Sequence, residues 1–315
     1  MYRIEDMNSS RFLHTSVTNV SDHSVLVGQQ SVDQITHLVL DSRFGVATTT
    51  ANTTTNTTHI NTTPNSTIMT LERRIPKAKR MRVRAVEFPV QFYQYTAELQ
   101  NTSFAVIESE TNTIVTIPDG NYTATQIATE LTTSTPGTTL AFSVVQGKIR
   151  ISNSSTNPIA LSFAVTQDAT FDRNRLKHKL GWCLGFRQAT YVIPPKIGTI
   201  DGTIDAEGWF QPHTIRYVYL MVNDYSTNRQ TTMSTCAPSL NGDVLARITL
   251  DYTKYPMQST LPATETNGYL WSGVRTYSGG STTLDKMNLY FCQEGGQPLN
   301  LNQSDFSVGL EIEHC

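Results

Sequence analysis

The sequence predicts a mainly β protein: an antiparallel sandwich or barrel with one or two short helices, preceded by an extended N-terminal arm. Three observations carry this. Short apolar runs that alternate with polar residues recur to the C-terminus, separated by Gly, Asn and Pro turns. Only 16% of the 315 residues are charged, so the polar surface is built from Thr, Ser, Asn and Gln, which suits strands and subunit contacts better than exposed helices. Finally, residues 47–67 hold eleven Thr and four Asn in twenty-one positions, with no spacing that builds an apolar face.

The length allows one large β domain or two ordinary ones. We place the arm at residues 1–75, with a strand or two near 25–40, and the folded domain at 76–315, with room for a hairpin-helix subdomain at 100–185. The N-terminus Met1-Tyr2-Arg3-Ile4 lacks the apolar core of a signal peptide, and no apolar run could span a bilayer, so a soluble, cytosolically made chain is expected.

The organising stretch is residues 80–131. Arg80, Arg82 and Arg84 share one strand face while Met81, Val83 and Ala85 share the other. At Ala85-Val86 the phase flips, because Val86, Phe88, Val90 and Phe92 now align, which predicts a bulge or bend. Pro89 removes a ladder donor and predicts an edge strand or a local loss of pairing. Phe104–Glu108 and Thr113–Ile117 form a hairpin. The Pro118-Asp119-Gly120 turn then leads into a helix opened by the capping box Thr123/Gln126, with Ala124, Ile127, Ala128 and Leu131 on its buried stripe.

Strands are expected next at Leu140–Val145, Lys148–Ser152 and Ile159–Val165. Residues 171–184 are the second helix candidate, with Leu176, Leu180 and Leu184 inward. Later strands are expected at 214–223, 244–251, 269–277, 285–292 and 305–313. In the last, Phe306, Val308, Leu310 and Ile312 face in, and Ser307, Gly309, Glu311 and Glu313 face out.

Residues 73–84 hold seven of the chain's twenty-four Lys and Arg. A nucleic-acid or lipid surface is one reading, but no aromatic residue interleaves with the arginines to stack on bases. The alternation favours a solvated face or a protein contact. Cys183, Cys236, Cys292 and Cys315 are too sparse for a disulfide framework and wrongly spaced for zinc, so buried free thiols are expected, Cys315 excepted. The ten Asn-x-Ser/Thr triplets are chance matches in a Thr-rich chain.

The chain has no nucleophile elbow, no His-Glu-x-x-His, no phosphate loop and no histidines at metal spacing. Glu108/Glu110 and Glu311/Glu313 could be drawn as glycosidase carboxylates, yet each pair reads as solvated strand-face residues. No catalytic residue, cofactor or metal site is assigned.

Three motifs carry a resemblance. They are Ile117-Pro118-Asp119-Gly120-Asn121-Tyr122-Thr123, Leu180-Gly181-Trp182-Cys183-Leu184-Gly185-Phe186, and Gly296-Gln297-Pro298-Leu299-Asn300-Leu301-Asn302 with Asp305–Ile312. In order and spacing, over roughly residues 75–315, they resemble jelly-roll minor capsid and penton-type proteins of large eukaryotic DNA viruses. The resemblance implies a jelly-roll subunit of an icosahedral shell, at a vertex or beneath the capsid lattice, sited in the virion and assembled in the host cytoplasm. It implies the major capsid protein and other minor capsid proteins as partners, an oligomeric state in the shell, possible proximity to an inner membrane, and no direct nucleic acid. Arg80, Arg82 and Arg84 then become the candidate partner contact. A receptor- or glycan-binding spike, using Trp209-Phe210 and Tyr269-Leu270-Trp271, is the alternative, followed by a virion-associated hydrolase.

Overall fold

A computed structural model describes residues 33–47, 66–108, 111–135, 137, 139–165, 176–234, 240, 242–278 and 282–315. The chain opens one β module, leaves it to build a second, and returns to complete the first. The opening strands are β1 (Gln34–Asp41), β2 (Val46–Ala47) and β3 (Thr67–Pro89). The second module holds β4 (Ser103–Glu108), β5 (Thr111–Thr116), α1 (Ala124–Thr133), β6 (Leu140–Val145), β7 (Lys148–Asn153) and β8 (Ile159–Ser162). It is completed by α2 (Leu180–Leu184), β9 (Thr190–Ile193) and β10 (Gly202–Asp205). The return supplies β11 (Tyr217–Asn223), β12 (Arg229–Thr231), β13 (Val244–Thr249), β14 (Thr260–Thr264) and β15 (Leu270–Ser272). The last strands are β16 (Val274–Tyr277), β17 (Thr282–Gln293) and β18 (Ser307–His314).

β3 is the spine of the first module. It pairs with β17 through Thr67–Ala78, with β18 through Ala78–Glu87, with β16 through Arg80–Arg82 and with β14 through Ala85–Pro89. The sheet order is β1-β18-β3-β17-β11-β13-β15, and β16 brings the far end back to β3, so the sheet curls around one apolar core. Every pairing is antiparallel, which agrees with the expected sandwich of the jelly-roll class.

A strand of 23 residues serves so many partners only by changing phase. Met69 and Leu71 face in, then Ile75, Ala78, Met81 with Val83, and finally Val86 with Phe88. Lys77 adopts a left-handed backbone (φ 51°) at one change. At another, Ala85 pairs with Gly309 while Val83 pairs with Leu310, leaving Arg84 as the extra residue of a bulge. The bulge expected from the flip at Ala85-Val86 is therefore present. One other expectation fails. The arm boundary after residue 75 falls inside β3, and β1 pairs along its whole length with β18, because the apolar residues of 34–41 and 67–75 are needed by the main sheet. At Pro89 only the β14 side is paired, since β18 pairing ends at Glu87, so the local loss of pairing expected there is present at the last residue of a strand that is otherwise flanked on both sides.

The second module has two sheets, β5-β4-β8-β9 and β10-β7-β6, closed over a separate core that runs from Tyr95 to Phe210, wider than the expected 100–185. Its helix begins as the capping box requires: the Thr123 hydroxyl accepts from the Gln126 amide and the Gln126 side chain accepts from the Thr123 amide. Ile127, Ala128 and Leu131 are its buried stripe. α2 is shorter than the predicted second helix; within 171–184 the described residues show a single 3-10 turn at Leu176–His178 and then Leu180–Leu184. Lys179 between them is fully buried, its ammonium donating to Gln100 Oε1 at 3.0 Å. Gly185 ends α2 at φ 102°, and a Cβ there would sit 2.4 Å from the Gly208 carbonyl oxygen, so only glycine fits.

Gln94 clamps the two chain crossings between modules. Its Oε1 accepts from the Thr214 and Ile215 amides at 2.8 and 3.0 Å, while its Nε2 donates to the Tyr252 hydroxyl at 2.7 Å. Its backbone amide donates to Asn121 Oδ1 at 2.8 Å and its carbonyl accepts from Asn101 Nδ2 at 2.8 Å. Removing a fully buried acceptor strands two amides, each worth about 1–3 kcal/mol. Gln94→Leu is therefore expected to lower the unfolding free energy by about 2–4 kcal/mol, read as a fall in the urea midpoint at unchanged slope.

Candidate functional site

β3 presents the predicted arginine face as a cross-strand ladder with β18. Arg82 stands opposite Glu311 and Arg80 opposite Glu313 in the register. Arg82 Nε donates to Glu311 Oε1 at 2.7 Å, and Arg84 reaches the other oxygen through Nε at 2.8 Å and Nη2 at 2.6 Å. Arg84 also approaches Glu265 at 3.5 Å, and Arg80 lies 3.7 Å from Glu313. The bulge at Arg84 makes this geometry: the extra residue lets two arginines two positions apart converge on one carboxylate.

Glu311 is only 6% exposed, so the outward position expected from alternation is in fact covered by guanidinium groups. Burial alone would raise its pKa. The hydrogen bonds from Arg82 and Arg84 outweigh that and hold the carboxyl below the usual range. A carboxylate pinned in this way is unsuited to shuttle protons, which removes Glu311/Glu313 as a glycosidase pair. The shallow pocket among Arg80, Met81, Arg82, Val274, Glu311 and Glu313 measures about 150 Å³, below the range of ordinary ligand sites.

The basic run is thus largely neutralised within the fold. Lys79 is ion-paired with Asp33, and Arg80, Arg82 and Arg84 have carboxylates of β18. Among the described residues, Arg73, Arg74 and Lys77 carry no ion pair and are exposed.

A second charged cluster was missed in the sequence. Arg275 is fully buried and donates to the Val222 carbonyl (2.7 Å), to Asp224 Oδ2 (3.0 Å) and to the Asp243 carbonyl (3.1 Å). Asp224 also accepts from Arg229 Nη1 at 2.8 Å and from the Tyr277 hydroxyl, and Arg229 bridges on to Asp243. Two arginines and two aspartates balance, tying β11, β12, β13 and β16 together at one end of the sandwich. Burial pushes the Asp224 carboxyl up, but Arg275, Tyr277 and the Ser226 amide hold it below its ordinary value. The available signal was parity: Arg275 and Tyr277 alternate with Val274 and Thr276 on the inward face.

The remaining expectations fall as follows. Cys183 and Cys292 are buried free thiols, each pushed up to about 12 by burial, and Cys315 is partly exposed. Cys236 and Glu110 lie outside the described residues, as do six of the ten Asn-x-Ser/Thr triplets. Of the others, Asn101 and Asn153 are buried with their amides donating to backbone carbonyls, so neither can accept a glycan in the folded state. Trp209 and Trp271 are well exposed but belong to different modules, the one following β10 and the other within β15. Among the described residues no three His, Cys, Asp or Glu side chains converge as metal ligands, and no helix is long and apolar enough to cross a membrane.

No protein-family model matches the chain, and no curated protein matches it. Among solved structures, the chain is similar to the mavirus penton protein, with 10% identity over 90% of this chain and 100% of that one, at a TM-score of 0.43. It is also similar to a chain of the Sputnik virophage structure, with 14% identity over 89% and 97% and a TM-score of 0.36.

Two predictions follow from the charged clusters. Asp224→Asn leaves Arg275 buried with no compensating charge and is expected to destabilise the fold by about 3–5 kcal/mol in chemical denaturation. Glu311 has a depressed folded pKa, so its contribution is fully present above the unfolded glutamate value of about 4.3 and is lost as pH falls through the folded value. Thermal melts of Glu311→Gln are accordingly expected to lose less stability than the wild type over that acidic window; an unchanged pH profile would show that the arginine pair does not stabilise the carboxylate.

Proposed function

We propose that the chain is a structural subunit of an icosahedral virus shell, of the minor capsid or penton type, that bridges neighbouring capsomers. The observation that carries this is the outer strand β1. Among the described residues it is the last strand of its sheet, and Ile35, Val39, Phe44 and Val46 on and beside it are 57%, 73%, 85% and 70% exposed. A long apolar edge is a liability in a free-standing protein and a joint in one that assembles. The ionisable groups fit the same role, being spent on internal pairs that stiffen the subunit.

The motifs behind the resemblance to minor capsid and penton-type proteins are structural joints here. One is the turn into α1, another is α2 with its glycine cap, and the third is the connection from β17 into β18. Partners under this reading are the major capsid protein and other minor capsid proteins, in the virion, after synthesis in the host cytoplasm. Arg80, Arg82 and Arg84 would meet them as a neutralised, hydrogen-bonding face with Glu311 and Glu313, not as a bare positive patch.

Mass spectrometry of purified, fractionated particles is expected to find the chain in them; its absence would overturn the proposal. Within such particles, Val39→Asp is expected to reduce incorporation about tenfold, the effect of roughly 1.4 kcal/mol at a contact, with the thermal melt of the isolated protein unchanged.

A further inference from the structure

Among the described residues β1 ends the main sheet, and little in it blunts that edge. All eight residues from Gln34 to Asp41 pair with β18 in one unbroken antiparallel register. The strand has no proline, no lysine and no bulge, three of the devices by which sheet edges resist pairing with one another. Its outward side is symmetric about His37. Ile35 and Val39 stand two residues before and after it, 57% and 73% exposed. Asp33, just before the strand, and Asp41, its last residue, stand four residues before and after it. Each carries its own cation: Lys79 for Asp33 and Arg43 for Asp41. His37 itself is exposed and lies opposite Glu311 of β18, in the row that Arg82 and Arg84 complete.

We propose that the β1 edge pairs with the β1 edge of a second copy of the chain, antiparallel and about a two-fold axis through His37. A strand whose pattern reads alike in both directions is matched by itself, which is what an isologous contact requires. In this register His37 faces its own symmetry mate, and Ile35 of each copy faces Val39 of the other. The two Ile–Val pairs flank the histidines and bury apolar surface that a free subunit leaves in water. At each end Asp33 of one copy meets Asp41 of the other, but Lys79 and Arg43 come with them, so two carboxylates and two cations balance. Because side chains alternate, only shifts of two residues keep the same side of the strand outward. Such a shift sets Ile35 against Asp41 or His37 and Val39 against His37 or Asp33, which breaks both apolar pairs. The outward backbone donors and acceptors along about 27 Å of strand are satisfied at the same time. The two main sheets become one, and the Arg82–Glu311–His37 row continues across the axis. The inference concerns the isolated chain: it shares β1 with the shell reading but does not require a virion.

Disulfide trapping on the full-length chain tests the register, in a Cys236→Ser/Cys315→Ser background that leaves only the buried Cys183 and Cys292. Directly paired residues of antiparallel strands have Cα atoms about 4.5–5.5 Å apart, within reach of a disulfide. His37→Cys is expected to form a linked dimer on mild oxidation. So is an equimolar mixture of Ile35→Cys and Val39→Cys chains, one of them carrying an affinity tag. Ile35→Cys alone is expected to link about tenfold less, since its two copies stand four residues, about 13 Å, apart along the strands. Sedimentation velocity of the unsubstituted chain, where no variant can misfold, is expected to show a dimer that grows with concentration. A wild-type chain that stays monomeric across the concentrations used for trapping would overturn the proposal, as would equal linking by Ile35→Cys alone and by the mixture. Both measurements use the isolated chain, so their failure is distinct from absence of the chain from particles, which bears on the shell reading alone.

Discussion

The first module depends on one constraint: a single strand must be an interior neighbour to several others at once. β3 meets β17 along its first half, and β18, β16 and β14 along its second. A regular strand keeps its faces fixed, so it could line only one wall of a curled core. The left-handed Lys77 and the bulge at Arg84 release β3 from that period, and Met69, Ile75, Ala78, Met81, Val83, Val86 and Phe88 then all point into the same core. The same bulge that re-aims the apolar side chains also gathers Arg82 and Arg84 over Glu311. Packing and electrostatics at this face are two results of one backbone irregularity.

The second module hangs from this frame at its two chain crossings. Gln94 satisfies both through one buried side chain, which works because a primary amide offers an acceptor and a donor from one rigid group. The Asp224–Arg275–Arg229–Asp243 cluster does similar work at the end of the sandwich. It joins β11, β12, β13 and β16 through hydrogen bonds and ion pairs among side chains and backbone carbonyls. In both places polar groups hold the geometry where the core does not reach, and each is nearly saturated, although Arg275 Nε is left without a partner.

This arrangement bears on what the surface can do. The run at Arg73–Arg84 looked like a positive patch, but four of its seven charges are answered by carboxylates within the fold. What remains open, among the described residues, is the charge of Arg73, Arg74 and Lys77, the outer edge of β1, and Leu71–Arg74 of β3, which lie between the β17 pairings of Thr70 and Ile75. A protein with neutralised charges and unfinished strands is suited to assembly, where contacts are made by packing and ladder hydrogen bonds.

Alternation and capping were legible because they are local. The inward set Phe306, Val308, Leu310 and Ile312, the hairpin β4–β5, the capping box of α1 and the phase flip near Ala85 all follow from neighbours a few residues apart. The candidate face was legible only as a row of arginines. That Glu311 lies beneath them depends on pairing over more than two hundred residues of sequence, which no local period encodes. The start of β3, Thr67–Ile75, was read as arm, and its apolar residues make sense only once they are paired with β17. The sequence by itself determined a mainly β chain, its main turns and most inward faces, since these arise from dihedral preference and hydrophobic period. The tertiary structure alone decided that β3 is shared, that Gln94 and Arg275 are buried, and which edges stay open, because those are set by which distant strands come to lie side by side.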